Sequence, residues 1–200
     1  MPKTISPGDN NAYIFTNATI EEDGLIIGGQ YETLIMSGVY VPKGGLVAAK
    51  GSSAKMAIFA GSKIPGQVDL RELETARLHA QGIDTPYLVL GNKQTGLVDL
   101  SASHVNELTL ELLKDYPSLA RRRGEPANKP YRMSLILRDA QIDVVSFGYT
   151  EGNELVDLDL RGALVRNVLG FVHYISNLYV DEETDIPAEF RSRLEAHLKK

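Results

Sequence analysis

An α+β fold is predicted by two patterns of apolar residues along this 200-residue chain. In the first third, short apolar runs alternate with glycine turns, which is typical of β-strands. After Pro65 and Gly66, apolar residues recur at three- and four-residue steps, which is typical of amphipathic helices. We therefore expect a β-rich region over residues 1–67 and a mixed α/β region over residues 68–200, as one compact domain or two small ones.

The β-rich region favours a meander or a barrel-like sheet. Runs such as Leu25–Ile27 and Val39–Val41 are three residues long, and each is followed by a glycine-containing turn. Turns at this spacing also fit a short β-solenoid, in which each coil buries its apolar positions against the next coil. No aliphatic or asparagine position recurs at a fixed period, so the meander is the preferred interpretation and the solenoid is the alternative.

Helices and strands alternate in the predictions for the second region. Helices are predicted over 69–82, over 103–119 (or from a cap at Ser101) and over 160–179 from apolar stripes, with Gly82 ending the first. Strands are predicted over 86–90, 97–100, 131–137, 142–149 and 155–160, and the first two could form a hairpin. The breaker-rich segment 121–130 is predicted to be an exposed loop.

A terminal amphipathic helix is predicted after Pro187. Its apolar stripe consists of Phe190, Leu194 and Leu198, with basic residues around it. Three residues make a narrow stripe, which is too thin for a well-buried helix but wide enough to dock in the groove of a partner. We therefore predict that Phe190, Leu194 and Leu198 form a protein-interaction surface.

Composition excludes several classes of protein. The chain is 43% hydrophobic and 24% charged, which is typical of a folded domain and not of a disordered or collagen-like chain. It contains no cysteine, which removes disulfides, thiolate nucleophiles and cysteine-ligated zinc. The polar N-terminus does not resemble a secretory signal, and the most apolar stretch, 160–180, carries charges that exclude a membrane span. We expect a cytoplasmic protein with no membrane insertion.

One acidic cluster is a candidate metal site. Asp157 and Asp159 lie two residues apart in a strand-like run and would project from one face, as oxygen ligands for Mg²⁺ or Mn²⁺ do. Glu154 could add a ligand, and His173 could act beside these carboxylates in an enzyme. The same alternation is also typical of a strand with one face exposed to solvent, or of an acidic helix N-terminus that runs into Leu160. No glycine pattern precedes a helix as nucleotide binding requires, and no cofactor is predicted.

Arg121, Arg122 and Arg123 form the main basic cluster, and arginines beside tyrosines can hold an anion or a single strand of nucleic acid. However, 21 basic and 26 acidic residues give a formal net charge of −5, which opposes binding to phosphate backbones.

The leading functional hypothesis is a non-enzymatic structural or adaptor subunit that forms a homo-oligomer or joins a larger protein assembly. It rests on the open strand edges expected in the β-rich region and on the thin stripe of the terminal helix. The alternative is an enzyme that acts on a small molecule or uses a divalent metal at residues 154–159. A third hypothesis is a single-stranded nucleic-acid binder.

Overall fold

The computed structural model is a β-solenoid, so the predicted α+β fold is wrong and the alternative solenoid is the one that fits. The structure describes residues 1–6, 12–91, 94–111, 131–148, 153–170 and 174–198. Within these ranges the chain forms sixteen strands and one helix. The strand ladders continue from the first third into the remainder of the chain, where mixed helices and strands were expected.

Two eight-stranded parallel sheets form the walls of the solenoid. The odd-numbered strands make sheet A: β1 Lys3–Ile5, β3 Gly24–Ile27, β5 Gly45–Ala48, β7 Gln67–Asp69, β9 Asp84–Gly91, β11 His104–Glu111, β13 Gln141–Phe147 and β15 Leu164–Leu169. The even-numbered strands make sheet B: β2 Ala12–Ile14, β4 Gln30–Ile35, β6 Ser53–Ile58, β8 Glu74–His79, β10 Gln94–Asp99, β12 Tyr131–Ile136, β14 Asn153–Asp159 and β16 Tyr174–Tyr179. One odd strand and the next even strand together make one coil, so there are eight coils.

Columns of aliphatic side chains fill the space between the sheets. Leu25, Leu46, Val68 and Leu88 are in register on neighbouring strands of sheet A, which gives a repeat of 20 to 22 residues. Leu34, Ala57, Leu78 and Val98 form the matching column of sheet B. All eight side chains are fully buried. Each coil therefore buries its apolar residues against the next one, as a solenoid requires.

Bends in the strands explain why sequence patterns predicted helices. At each bend two successive residues point outward, so inward residues are spaced by three, as Val105 and Leu108 are in β11. Leu70 and Leu73 acquire the same spacing from a turn, in which the Leu73 N–H donates to the Leu70 carbonyl. Residues three apart also lie on one face of a helix, so the apolar spacing at these bends and turns was misinterpreted as that of amphipathic helices.

The elements observed over residues 68–200 therefore differ from the predicted ones. Residues 69–82 form the end of β7, a turn and β8, and residues 160–179 contain β15 and β16. The predicted helix at 103–119 begins as β11, and 112–119 lie outside the described residues. The strands expected over 86–90 and 97–100 do not make a hairpin, because β9 belongs to sheet A and β10 to sheet B. The strands expected near 131–137, 142–149 and 155–160 are present as β12, β13 and β14.

The turns that lead from sheet B back to sheet A use a left-handed backbone at one fixed position. Gly61 has a φ of 65°, and the N–H of the next residue, Ser62, donates to the Phe59 carbonyl. Positive φ at the third residue of such a turn is the type II pattern that favours glycine. Ala102 and Asp139 take the same place in later coils with φ values of 55° and 57°. The turn geometry thus recurs without a strictly recurring residue.

The terminal helix, α1, spans Ala188–Leu198 and begins directly after Pro187, as the sequence predicts. It packs against β16, and the Phe190 ring stacks on Phe147 with 6.0 Å between ring centroids. The Arg191 Nη2 donates to the Thr184 carbonyl at 2.7 Å, which ties the helix to the last turn. No helix in the described part of the chain is both long and apolar enough to cross a membrane.

Candidate functional site

Asp159, a candidate metal ligand, is held by two arginines. Its carboxylate accepts from Arg161 Nε at 2.9 Å and Nη2 at 2.7 Å, and from Arg138 Nη2 at 2.9 Å. The side chain is only 3% exposed. The hydrogen bonds from Arg161, strengthened by its charge and by Arg138, lower the pKa of Asp159 to about 2. This carboxylate is therefore ionised and already paired with protein cations.

Asp157 lies beside Asp159 in sequence but has its own set of partners. It accepts from the Ser134 hydroxyl at 2.6 Å, from Asn177 Nδ2 at 3.0 Å and from the Tyr179 hydroxyl at 3.4 Å. The hydrogen bond from Ser134 contributes most to lowering the pKa of Asp157. Neutral donors on the two neighbouring strands, β12 and β16, thus hold the carboxylate in place on sheet B.

A β-bulge replaces the strict alternation predicted for this strand. Met133 pairs with Leu155 and Ser134 with Asp157, so Val156 is an extra residue without a counterpart on β12. As a result Leu155 and Leu158 both point into the core. The side chain of Glu154 and the whole of His173 lie outside the described residues. Within the described part of the chain, no group of three acidic or histidine residues is arranged to hold a metal ion.

The predicted interaction stripe of the terminal helix faces the chain's own last coil. Phe190 is 6% exposed and Leu194 is 1% exposed. Both side chains complete the core at the C-terminal end of the solenoid. The side chain of Leu198 lies outside the described residues, as do Arg121, Arg122, Arg123 and the predicted loop at 121–130.

A polar groove of about 400 Å³ runs across the first residues of β4, β6 and β8. Its lining includes Glu32 and Lys55, which form an ion pair at 2.7 Å. Tyr31 also lines it, but its hydroxyl donates inward to the carbonyls of Gly28 at 2.7 Å and Ile5 at 3.0 Å. Burial raises the pKa of Tyr31 to about 12, so this phenol is a poor acid or base at neutral pH.

The N-terminal end of the solenoid presents two open strand edges. The Phe15 N–H donates to the Ile35 carbonyl, and the Gly28 N–H donates to the Ile5 carbonyl. Backbone groups of successive residues in a parallel strand point to opposite sides. Thr4 in β1 and Ile14 in β2 therefore direct their N–H and C=O groups away from the sheets.

Exposed apolar surface accompanies these edges. β1 and β2 are the terminal strands of their sheets, so no strand lies beyond them in the described part of the chain. Ile14 is 67% exposed. Lys3 lies over the Phe15 ring, with Nζ 5.8 Å from its centroid.

Open edges were expected in the β-rich region, but Thr4, Ala12 and Ile14 were not identified as the edge residues. The signal that could have found them is the register of Ile14, Ile35 and Ile58, which face the same way at a spacing of one coil. That signal becomes visible only when the coil length is known. Comparisons with protein-family models, with curated proteins and with solved structures found no match.

Proposed function

We propose that this chain is a non-enzymatic structural subunit that associates with a second copy through the N-terminal end of its solenoid. The observation that carries the proposal is the pair of open edges, where Thr4, Ala12 and Ile14 aim backbone groups outward that pair with no strand among the described residues. Edges of this kind readily accept another strand. A second copy supplies strands of the same length and the same apolar character.

The two ends of the solenoid differ, and this difference favours contact between two N-terminal ends. At the C-terminal end α1 packs against β16 and buries Phe190 and Leu194. Head-to-tail stacking would have to displace this helix. Two N-terminal ends related by a two-fold axis meet without displacing any described element, and their edge strands run antiparallel.

Electrostatics predicts how salt affects this association. Each copy carries a formal net charge of −5, so two copies repel each other at low ionic strength. Added salt screens this repulsion and leaves hydrogen bonds and apolar contacts largely intact. Association should therefore be stronger, or unchanged, in moderate salt.

Proline substitutions on the edges test the proposal. Thr4→Pro with Ala12→Pro removes two outward N–H donors and leaves the inward hydrogen bonds of β1 and β2 in place. We expect the mass measured by light scattering after size exclusion to fall towards 21.9 kDa over about a hundredfold range of concentration.

Thr4→Val with Ala12→Val is the matched control, because it changes the same positions but keeps both N–H groups. This variant should associate as the parent does. A parent that stays monomeric throughout the range, or a proline variant that associates as well as the valine variant, would overturn the proposal. Melting temperatures within a few degrees of the parent establish that both variants are folded.

A further inference from the structure

A bounded apolar patch lies on the outer surface of sheet B and begins at β2, one of the two open edges. Ile14, Ile35 and Ile58 are in register on β2, β4 and β6, and all three point away from the core. Thr33 and Met56 form a second in-register column beside them. These five residues are called the isoleucine face below.

Polar residues bound the isoleucine face on two sides. On β8 the two columns continue as Arg77 and His79, so the apolar character ends there. Along the start of β4 and β6 the face is flanked by the ion pair between Glu32 and Lys55. An apolar patch with a charged rim is the usual appearance of a protein contact surface.

We infer that the isoleucine face pairs side by side with the same face of a second copy of this chain. Charge complementarity favours this pairing under a two-fold axis that runs along the strands, midway between β4 and β6. This axis places β4 of each copy opposite β6 of the other. Ile35 then meets Ile58 of the second copy, and Glu32 meets Lys55 of the second copy.

This arrangement is the packing that two sheets normally adopt. The strands of the two copies run in the same direction, within the angle of about 30° that is common when sheets pack face to face. Thr33 lies opposite Met56 of the second copy, which sets a small side chain against a large one. At the boundary, Ile14 lies opposite His79 of the second copy.

The size of the patch sets the strength of the contact. Three strands about 4.8 Å apart, with about 16 Å of strand length, give roughly 230 Å² per copy. A standard interface buries about 800 Å² per partner, and the apolar patch is under a third of that area, so side-by-side pairing should be weak, with a dissociation constant on the order of 100 μM or higher. It does not depend on the end-to-end contact proposed above, and it would strengthen that contact if both are formed.

The test begins in the Thr4→Pro, Ala12→Pro background, where the end contact is blocked. Sedimentation equilibrium should reveal a weak dimer that Ile35→Lys weakens at least tenfold, because a charged side chain would be set against Ile58 of the second copy. Val47→Lys is the matched control, since Val47 is an exposed mid-strand residue on the outer surface of sheet A. It should leave the dimer unchanged.

A mixing experiment distinguishes a second copy from any other occupant of the face. Glu32→Lys alone and Lys55→Glu alone each set like charges against each other between two identical copies, so each variant should dimerise more weakly than the background. In an equimolar mixture, both facing positions of the mixed pair carry opposite charges, although each chain still has a like-charge pair within itself. We therefore expect the mixture to dimerise more tightly than either variant alone.

Three results would overturn the inference. They are a background protein that stays monomeric up to about 1 mM, on the order of ten times the expected dissociation constant, an Ile35→Lys variant that dimerises as well as Val47→Lys, and a mixture that behaves as the sum of its parts. None of these results bears on the end contact, which the proline and valine variants test separately. Likewise, failure of the end contact leaves the weak dimer of the background protein unaffected.

Discussion

Arg161 binds the Asp159 carboxylate with two parallel hydrogen bonds, from Nε to Oδ1 at 2.9 Å and from Nη2 to Oδ2 at 2.7 Å. The Arg161 backbone N–H also donates to Oδ1 at 3.2 Å. Asp159 ends β14, and Arg161 lies in the turn that follows. The pair therefore fixes the path of the chain from sheet B towards β15, and the guanidinium of Arg161 in turn lies 5.5 Å from the centre of the Tyr179 ring.

Replacing Asp159 by asparagine should destabilise the protein in a pH-dependent manner. The pKa of Asp159 is about 2, below its ordinary value of 3.8. The stabilisation is therefore complete above about pH 4 and is lost as the pH falls towards 2. Allowing for solvent around the arginines, it amounts to about 1–2 kcal/mol at pH 7. Urea unfolding should give this difference at pH 7 and a smaller one at pH 3.

Asp143→Asn is the control for this prediction. Asp143 pairs with Arg166 at 3.1 Å, but the two side chains are 49% and 70% exposed. An exposed pair contributes about 0–1 kcal/mol, so this variant should be nearly neutral at both pH values. Equal losses for the two variants would mean that burial does not strengthen the Asp159 pair.

Replacing Gln94 by glutamate should also destabilise the protein in a pH-dependent manner. Its buried amide accepts from the Gly91 N–H at 2.7 Å and donates to the Leu70 carbonyl at 2.7 Å and to the Leu73 carbonyl. In Gln94→Glu an ionised carboxylate would face two carbonyl oxygens, so we expect a loss of about 3 kcal/mol at pH 7.

The sign of the pH effect follows from burial. Burial raises the pKa of the introduced carboxyl above its unfolded value, so the penalty should shrink as the pH falls through that raised pKa, when the group is protonated and can donate again. Thermal unfolding at pH 7 and pH 4.5 measures this change. Gln141→Glu, at an exposed position of β13, should be close to neutral at both pH values. A penalty for Gln94→Glu that does not depend on pH would contradict the role assigned to the amide.

The sequence predicted the individual strands better than the way they are joined. Short apolar runs such as Leu25–Ile27 and Met133–Leu137 identify strands, because alternation within a run reports which residues point inward. Alternation does not report which strand lies alongside. Leu88 pairs with Val68 and Leu108, about twenty residues away on either side, and nothing local in the sequence encodes that register.

The candidate sites were limited by the same missing information. Asp157 and Asp159 were correctly placed on one strand, but their partners Ser134 and Arg138 come from the preceding coil. The stripe of Phe190 and Leu194 was correctly read as an apolar helix face, and only the packing on the last coil reveals that the chain itself covers it. Contacts between neighbouring coils thus decide whether a side chain is free to bind a ligand or partner. Predicting those contacts requires the length of each coil, which the sequence pattern alone did not reveal.

Phe190→Ala tests whether α1 closes the solenoid or serves as a contact between copies. The Phe190 ring stacks on Phe147 and is buried, so truncation should leave a cavity and cost about 3 kcal/mol. Because the helix packs against β16 and the Phe190 ring against Phe147, both in the last coils, hydrogen exchange should accelerate in α1, β15 and β16 and stay unchanged in β3 to β6. Glu195→Ala, on the exposed face of α1, should have neither effect. If Phe190→Ala instead lowers the oligomeric mass while the melting temperature and hydrogen exchange of the last coils are unchanged, Phe190 acts between copies, as the sequence alone had predicted.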